Sequence, residues 1–179
     1  MSHLFRHAAA ALLLVALSPG AIAQAPPPAP AGGGRGPAPP PARFIGIALA
    51  LEAAQTAVAS CTASGYNVSV SVLDAAGVTR LVFAADKAAT GAIDSATRKA
   101  YTSVAFKLPT ADIATQQPAN PEMDARIKAD ARMFARAGAY PLMAGAELAG
   151  AVGVGGAPGG DRDAVCAEAG IAKIKDRIK

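Results

Sequence analysis

The chain has no tryptophan, two cysteines and two histidines among its 179 residues, and only 4% of it is aromatic. Each shortage narrows the chemistry. His3 and His7 both precede an apolar run near the N-terminus, and the rest of the chain has no histidine. A four-ligand zinc centre or a histidine-ligated iron lacks its usual donors there. A serine nucleophile likewise lacks an imidazole base. No Gly-x-Ser-x-Gly elbow, Cys-x-x-Cys pair, Gly-Lys-Ser/Thr phosphate loop or dinucleotide glycine fingerprint occurs. The formal net charge is +4, but the basic residues are spread along the chain. Nucleic-acid binding calls for a basic face interleaved with stacking rings, and neither is visible. The basic tail Lys173, Lys175, Arg177 and Lys179 reads as a solvated helix end, where cations favour the dipole.

Residues 1–23 read as a secretory leader. Arg6 precedes the apolar run from Ala8 to Leu17, Pro19 and Gly20 break it, and Ala21-Ile22-Ala23 supplies the small residues of a cleavage point. The run is shorter than the about 20 residues a bilayer span needs. The mature protein is therefore expected to be periplasmic or secreted, with no membrane span. Residues 24–42 are Ala, Pro, Gly and Gln apart from Arg35. They offer too little apolar surface to offset ordering entropy, which predicts a disordered, partly polyproline-like tether. Residues 43–179 remain as one domain of ordinary size, large enough to fold without a metal.

Phe44, Ile47, Ala48, Leu51, Ala54, Val58 and Cys61 recur at helical spacing, predicting an amphipathic helix over 44–63 that Gly65 ends. Val68, Val70 and Val72 alternate as in a strand. Asp74 to Gly77 supplies a turn, and Val78 to Ala85 returns. Residues 91–107 read as a helix bounded by Pro109, and Thr110 is a candidate N-cap for a short helix or loop to Gln117. The charged stretch 118–133 suits an exposed helix or loop covering one edge. Asp74 at a turn and Asp94 in a helix's first turn have structural roles that account for them without catalysis.

The most informative stretch runs from Gly138 to Gly156. Tyr140 to Ala144 reads as a strand, Gly145-Ala146-Glu147 as a turn in which Gly145 supplies a positive φ, and the chain returns from Leu148. Gly150, Gly153, Gly155 and Gly156 leave the return strand bare, which favours close packing by a neighbouring element. Asp161 and Asp163 then open a final helix near 161–177. Hairpins joined by helices favour an antiparallel sheet with helices packed against it, an α+β domain. Lys99 lies in a mostly apolar helix; its ammonium either pairs with a carboxylate or snorkels along apolar surface. Cys61 and Cys166, in an oxidising compartment, read as one disulfide or as two separately buried thiols.

Four segments in order resemble one family. Val70-Ser71-Val72-Leu73-Asp74-Ala75-Ala76-Gly77 resembles its strand and turn, V-x-V-x-D-x-x-G. The helix Ile93-Asp94-Ser95-Ala96-Thr97-Arg98-Lys99-Ala100-Tyr101-Thr102-Ser103-Val104-Ala105-Phe106 resembles I-D-x-A-x-x-K-A-x-T-A-x-x-F. Gly138 to Pro141 with the glycine-rich strand, and then Asp163 with Ala169-Gly170, complete the set. The family is the GlcG/HbpS-like haem-binding group, whose domain is also appended to PduO-type cobalamin adenosyltransferases. The resemblance covers residues 44–179. It implies a central antiparallel sheet of about five strands flanked by helices, with the N- and C-terminal helices adjacent. Adjacent terminal helices would bring Cys61 and Cys166 together as a disulfide.

The resemblance also implies a ligand, haem or a related tetrapyrrole, and a homo-oligomeric assembly. Arg98 or Lys99 would then pair with a propionate, while Tyr140, Met143 and Phe106 would line the ring. By type, Tyr66, Tyr101, Tyr140, Met133, Met143 or a free Cys can ligate iron. Tyr140 is favoured because it precedes Pro141 on the hairpin edge. Thr102 is retained because some members are thought to coordinate haem weakly through a hydroxyl. The chain departs from the family where Gly138-Ala139-Tyr140-Pro141 replaces a more glycine-rich G-G-x-P. It departs again where Met133-Phe134-Ala135-Arg136 replaces an acidic or asparagine-rich approach. The expected function is an exported, non-enzymatic haem-binding protein. The alternative is a homo-oligomeric interaction module with no specific ligand.

Overall fold

A computed structural model describes residues 41–179. The leader, and the tether as far as residue 40, lie outside the described residues. Helix α1 (Ile47–Ala63) leads into the hairpin β1 (Ser69–Leu73) and β2 (Thr79–Ala84), and helix α2 (Ala92–Phe106) follows. Helices α3 (Thr110–Gln116) and α4 (Pro121–Ala129) then precede the hairpin β3 (Ala139–Ala144) and β4 (Glu147–Gly155) and helix α5 (Gly160–Ile174). The strands form one antiparallel sheet in the order β2-β1-β4-β3. Among the described residues the sheet has four strands, against the about five that the resemblance implies, and they are the four read from the two hairpins.

The sheet separates two packed faces. On one, Val70, Val72, Val152 and Val154 meet α1 and α5. Helix α1 turns Ala50, Ala53, Ala54, Ala57 and Cys61 inward, all fully buried, at the spacing of one helical stripe. Small side chains let α5 lie close: a Cβ on Gly170 would sit 2.4 Å from the Ala53 carbonyl oxygen. The terminal helices are adjacent, and a disulfide joins Cys61 to Cys166 across them, with the Cα atoms 5.5 Å apart. α1 begins at Ile47 and not at Phe44, because Gly46 stands before it with φ 87°.

The other face is covered by α2. Here the bare strand has its use: a Cβ on Gly153 would lie 2.2 Å from the Ala96 carbonyl oxygen, and one on Gly155 would lie 2.7 Å from that of Ala92. Alanines on α2 and glycines on β4 thus bring helix and sheet backbones into direct contact. Asp74 occupies the β1–β2 turn, where its Oδ1 accepts from the amides of Ala76 and Val78. Asp94 lies in the first turn of α2. Thr110 is not the cap expected of it: Pro109 precedes α3 as the cap residue, and the Thr110 hydroxyl instead bonds both the amide and the carbonyl of Ala139. That bond ties α3 to the start of β3.

Candidate functional site

Asp94, Thr97, Arg98 and Tyr101 follow one another at helical spacing and share a face of α2. They form one wall of an open groove of about 390 Å³. Leu73, Gly77 and Thr79 of the β1–β2 hairpin make its floor, and Ala131 and Arg132 its far rim. Gly77 has φ 77°, and a Cβ there would meet the Tyr101 ring at 2.9 Å. The turn can therefore lie directly against the phenol only with glycine at this position.

Two guanidinium groups line this groove with Tyr101. Arg132 lies 4.4 Å from its ring centroid and chelates Asp130 at 2.9 and 2.7 Å. The phenol of Tyr101 donates to the same carboxylate at 3.3 Å. Hydrogen bonds from Arg132 hold the Asp130 carboxyl down at about 2. Arg98 donates to the Met133 carbonyl at 3.0 Å and stacks 5.3 Å from the Phe134 ring. Its Nε is buried and has no partner. The amide of Phe134 in turn donates to the Thr102 hydroxyl at 2.7 Å. Arg98, Tyr101 and Thr102 together fasten residues 130–134 along α2.

Lys99, next in sequence, points elsewhere. Its side chain is 2% exposed, and Nζ lies 2.6 Å from Asp163 Oδ2 at the start of α5. It also donates to the Val154 carbonyl at 3.1 Å. Asp163 Oδ1 accepts from the Ala157 amide. Burial pushes the Lys99 ammonium down and the Asp163 carboxyl up from their ordinary values, against the attraction between them. Gly138 is required beside this pair, since a Cβ there would lie 2.8 Å from Nζ. Of the two readings of Lys99, the pair with a carboxylate of its own chain is the one formed. Sequence reasoning missed the partner because Asp163, in the first turn of its helix, already had a sufficient role as a helix-dipole acid.

The remaining candidates do not gather around the groove. Thr102 is fully buried, with its hydroxyl bonded to the Arg98 carbonyl and the Phe134 amide. Phe106, one helical turn beyond it, carries Arg126 at 4.6 Å. Tyr140 packs on the α1/α5 side of the sheet and donates to Glu168 of α5. Burial and that acceptor push its phenol well above the ordinary value. Pro141 stands opposite Ala151 on the edge strand, and Met143 stands opposite Leu148 near the hairpin tip. The sheet thus stands between Tyr140 and the groove that Arg98 and Tyr101 line. Among the described residues, no cluster of three His, Cys, Asp or Glu could hold a metal, and no helix is long and apolar enough to cross a membrane.

A family model described as haem degrading protein HbpS-like matches residues 45–172. Among solved structures, a double mutant of HbpS from Streptomyces reticuli is similar at 33% identity, covering 82% of this chain and 97% of that one, with a TM-score of 0.68. A PduOC:heme complex is similar at 23% identity, covering 73% and 95%, with a TM-score of 0.67. Klebsiella pneumoniae ORFY is similar at 22% identity, covering 79% and 97%, also with a TM-score of 0.67. At the identities of the last two, the likeness is one of fold. No curated protein matches the chain.

Proposed function

The chain belongs to the HbpS-like family, described as haem-degrading, and from that premise we propose that it is an exported haem-binding protein whose ligand lies in the α2 groove. One observation carries the choice of groove. Arg98, Tyr101 and Arg132 line one groove together with Leu73 and Ala131, and Arg132 lies over the Tyr101 ring. A tetrapyrrole with two propionates calls for this donor set: apolar contact for the ring, guanidinium groups for the carboxylates, and one hard oxygen for iron. Haem, when bound, supplies a ferric centre and a flat apolar surface. The chain's own residues orient it and neutralise its carboxylates. Lys99 has no part in this reading, because Asp163 already holds it.

Propionates would have to share Arg98 with Asp94 and Arg132 with Asp130, pairs that lie at the solvent-exposed rim, unlike the buried Lys99–Asp163 pair. Titration of the protein with haemin should give a saturable Soret change at about one haem per chain, since one groove of this kind is described per domain. A change no larger than an unrelated basic protein gives would refute the reading. Export rests on the leader. Sequencing the mature protein should find Gln24 at its N-terminus, and retention of Met1 would overturn export.

A further inference from the structure

Independently of the haem reading, we infer that the outer edge of β2 is an interaction surface whose partner is a second copy of this chain, paired antiparallel through Val82. The sheet has two edges, β2 and β3, and they differ. On β3 the Ala139 amide and carbonyl face outward, and the Thr110 hydroxyl takes both. Pro141, two residues on, has no N–H to offer. That edge is closed. On β2 the Ala85 amide donates to the Val68 carbonyl, so Val70–Phe83 and Val72–Leu81 are the hydrogen-bonded pairs of the ladder. The backbone groups of Val82 and Ala84 therefore point away from β1, and among the described residues nothing pairs with them. Monomeric proteins ordinarily guard an open edge with charge or proline. From Leu81 to Ala85 there is neither. Arg80, just before this stretch, is drawn back to Asp74 at 3.3 Å and to the Phe44 ring at 5.2 Å.

The flank of this edge is apolar as well. Val58 of α1 lines a groove with Phe83 and Ala84. Leu51 and Ile47 follow on the same face of the helix, and both are exposed. A second copy fits this surface by symmetry. A two-fold axis through Val82, perpendicular to the sheet, sets Val82 against the partner's Val82 and Leu81 against the partner's Phe83. Arg80 then stands opposite the partner's Ala84, so no like charges face each other. The Val82 amide and carbonyl exchange bonds with those of the other chain. Leu81 and Phe83, only partly buried within one chain, cover each other, and the pairing takes in the whole of β2. Because such an axis keeps each face of the sheet on its own side, α1 of both chains lies on the same side of the seam, with Ile47 and Leu51 at its rim. The contact is isologous and closes as a dimer.

Light scattering of the full chain at micromolar concentration should find an even number of chains per particle. Val82→Lys and Val82→Glu each set like charges face to face across the axis. Either alone should give a smaller particle, with self-association weakened about tenfold or more. An equimolar mixture of the two should regain the parent's mass, because lysine then faces glutamate. A merely structural defect at Val82, which is 41% exposed in one chain, would not be repaired by mixing. If neither variant is folded by circular dichroism, Ile47→Gln/Leu51→Gln on the flank decides the matter, again with a smaller particle expected. A monomeric parent, folded variants that keep the parent's mass, or a mixture that fails to recover it would each overturn the pairing.

Discussion

Asp163→Asn exchanges a single oxygen for an amide nitrogen, yet it should destabilise the domain by about 3–5 kcal/mol, the cost of stranding one member of a buried ion pair. Lys99 and Asp163 have side chains only 2% and 3% exposed, with 2.6 Å between Nζ and Oδ2. Asparagine can keep the bond from the Ala157 amide, but it turns an N–H donor toward the Lys99 ammonium, which is then left with the Val154 carbonyl alone. Lys99→Met strands the opposite charge and should cost a similar amount. The double variant removes both charges. It orphans the Val154 carbonyl, a loss of about 1–3 kcal/mol, so it should be no less stable than either single variant. For a domain of this size the single-variant loss corresponds to roughly 10–20 °C in Tm. Urea unfolding of the parent, both singles and the double, analysed with a common m-value, gives the coupling energy directly. We expect at least about 2 kcal/mol of non-additivity. Costs that add to within about 0.5 kcal/mol would refute the pairing as the source of the effect.

The same pair sets a pH dependence. Between the depressed Lys99 value and its ordinary 10.5, the unfolded chain holds the extra proton, so stability should rise with pH there. Between 3.8 and the raised Asp163 value the native chain holds it, and stability should fall as pH rises. Urea midpoints of the parent minus those of Lys99→Met/Asp163→Asn isolate both windows, and a flat difference across them would contradict the burial argument. Gly153→Ala should cost about 3 kcal/mol or more by overpacking, because its Cβ would lie 2.2 Å from the Ala96 carbonyl oxygen. A melting point within a degree of the parent's would show that α2 is not held this tightly. Cys61→Ala/Cys166→Ala opens a link across 105 positions and should lose about 4 kcal/mol on the chain-entropy model, measured by urea unfolding. A loss below about 1 kcal/mol would mean that native strain cancels the gain.

Much of this architecture was legible because it depends on local spacing. Helical spacing showed that a helix runs to Cys61, and alternation showed that Val70 and Val72 share one side of a strand. The buried stripe of the helix was misjudged: Ile47 and Leu51, read as inward, are 58% and 38% exposed, and Ala50, Ala53 and Ala57 are buried in their place. The glycines of β4, read as close packing and not as a phosphate loop, meet the alanines of α2. The Lys99–Asp163 pair was not legible. Its members are 64 positions apart, and each had a satisfactory local account. The residues opposite Tyr101 in the groove were hidden for the same reason. Arg132 lies in a stretch whose alternating charges read as a solvated surface, and only the return of residues 130–134 along α2 brings its guanidinium over the ring.

The division of the tyrosines between two faces has a more specific cause. A two-residue turn at Gly145-Ala146 pairs Ala144 with Glu147 and Met143 with Leu148. Continued without a break, that register would set Tyr140 opposite Ala151, which packs on the α2 side with Leu73, Ala100 and Val104. The pairing instead steps from Met143–Leu148 to Leu142–Gly150, so Ala149 is an extra residue on β4. A one-residue slip reverses every later side chain on the partner strand. Tyr140 therefore stands opposite Val152, on the side of α1 and α5, where Glu168 receives its hydroxyl. Gly150 makes the bulge possible: it has φ 142°, and a Cβ there would lie 2.0 Å from the Leu73 carbonyl oxygen. Alternation counted from the turn places Tyr140 beside the groove, while the bulge at Ala149 places it behind the sheet. The tyrosine that shares the groove with Arg98 and lies under Arg132 is accordingly Tyr101, fixed by helix periodicity that no strand bulge can alter.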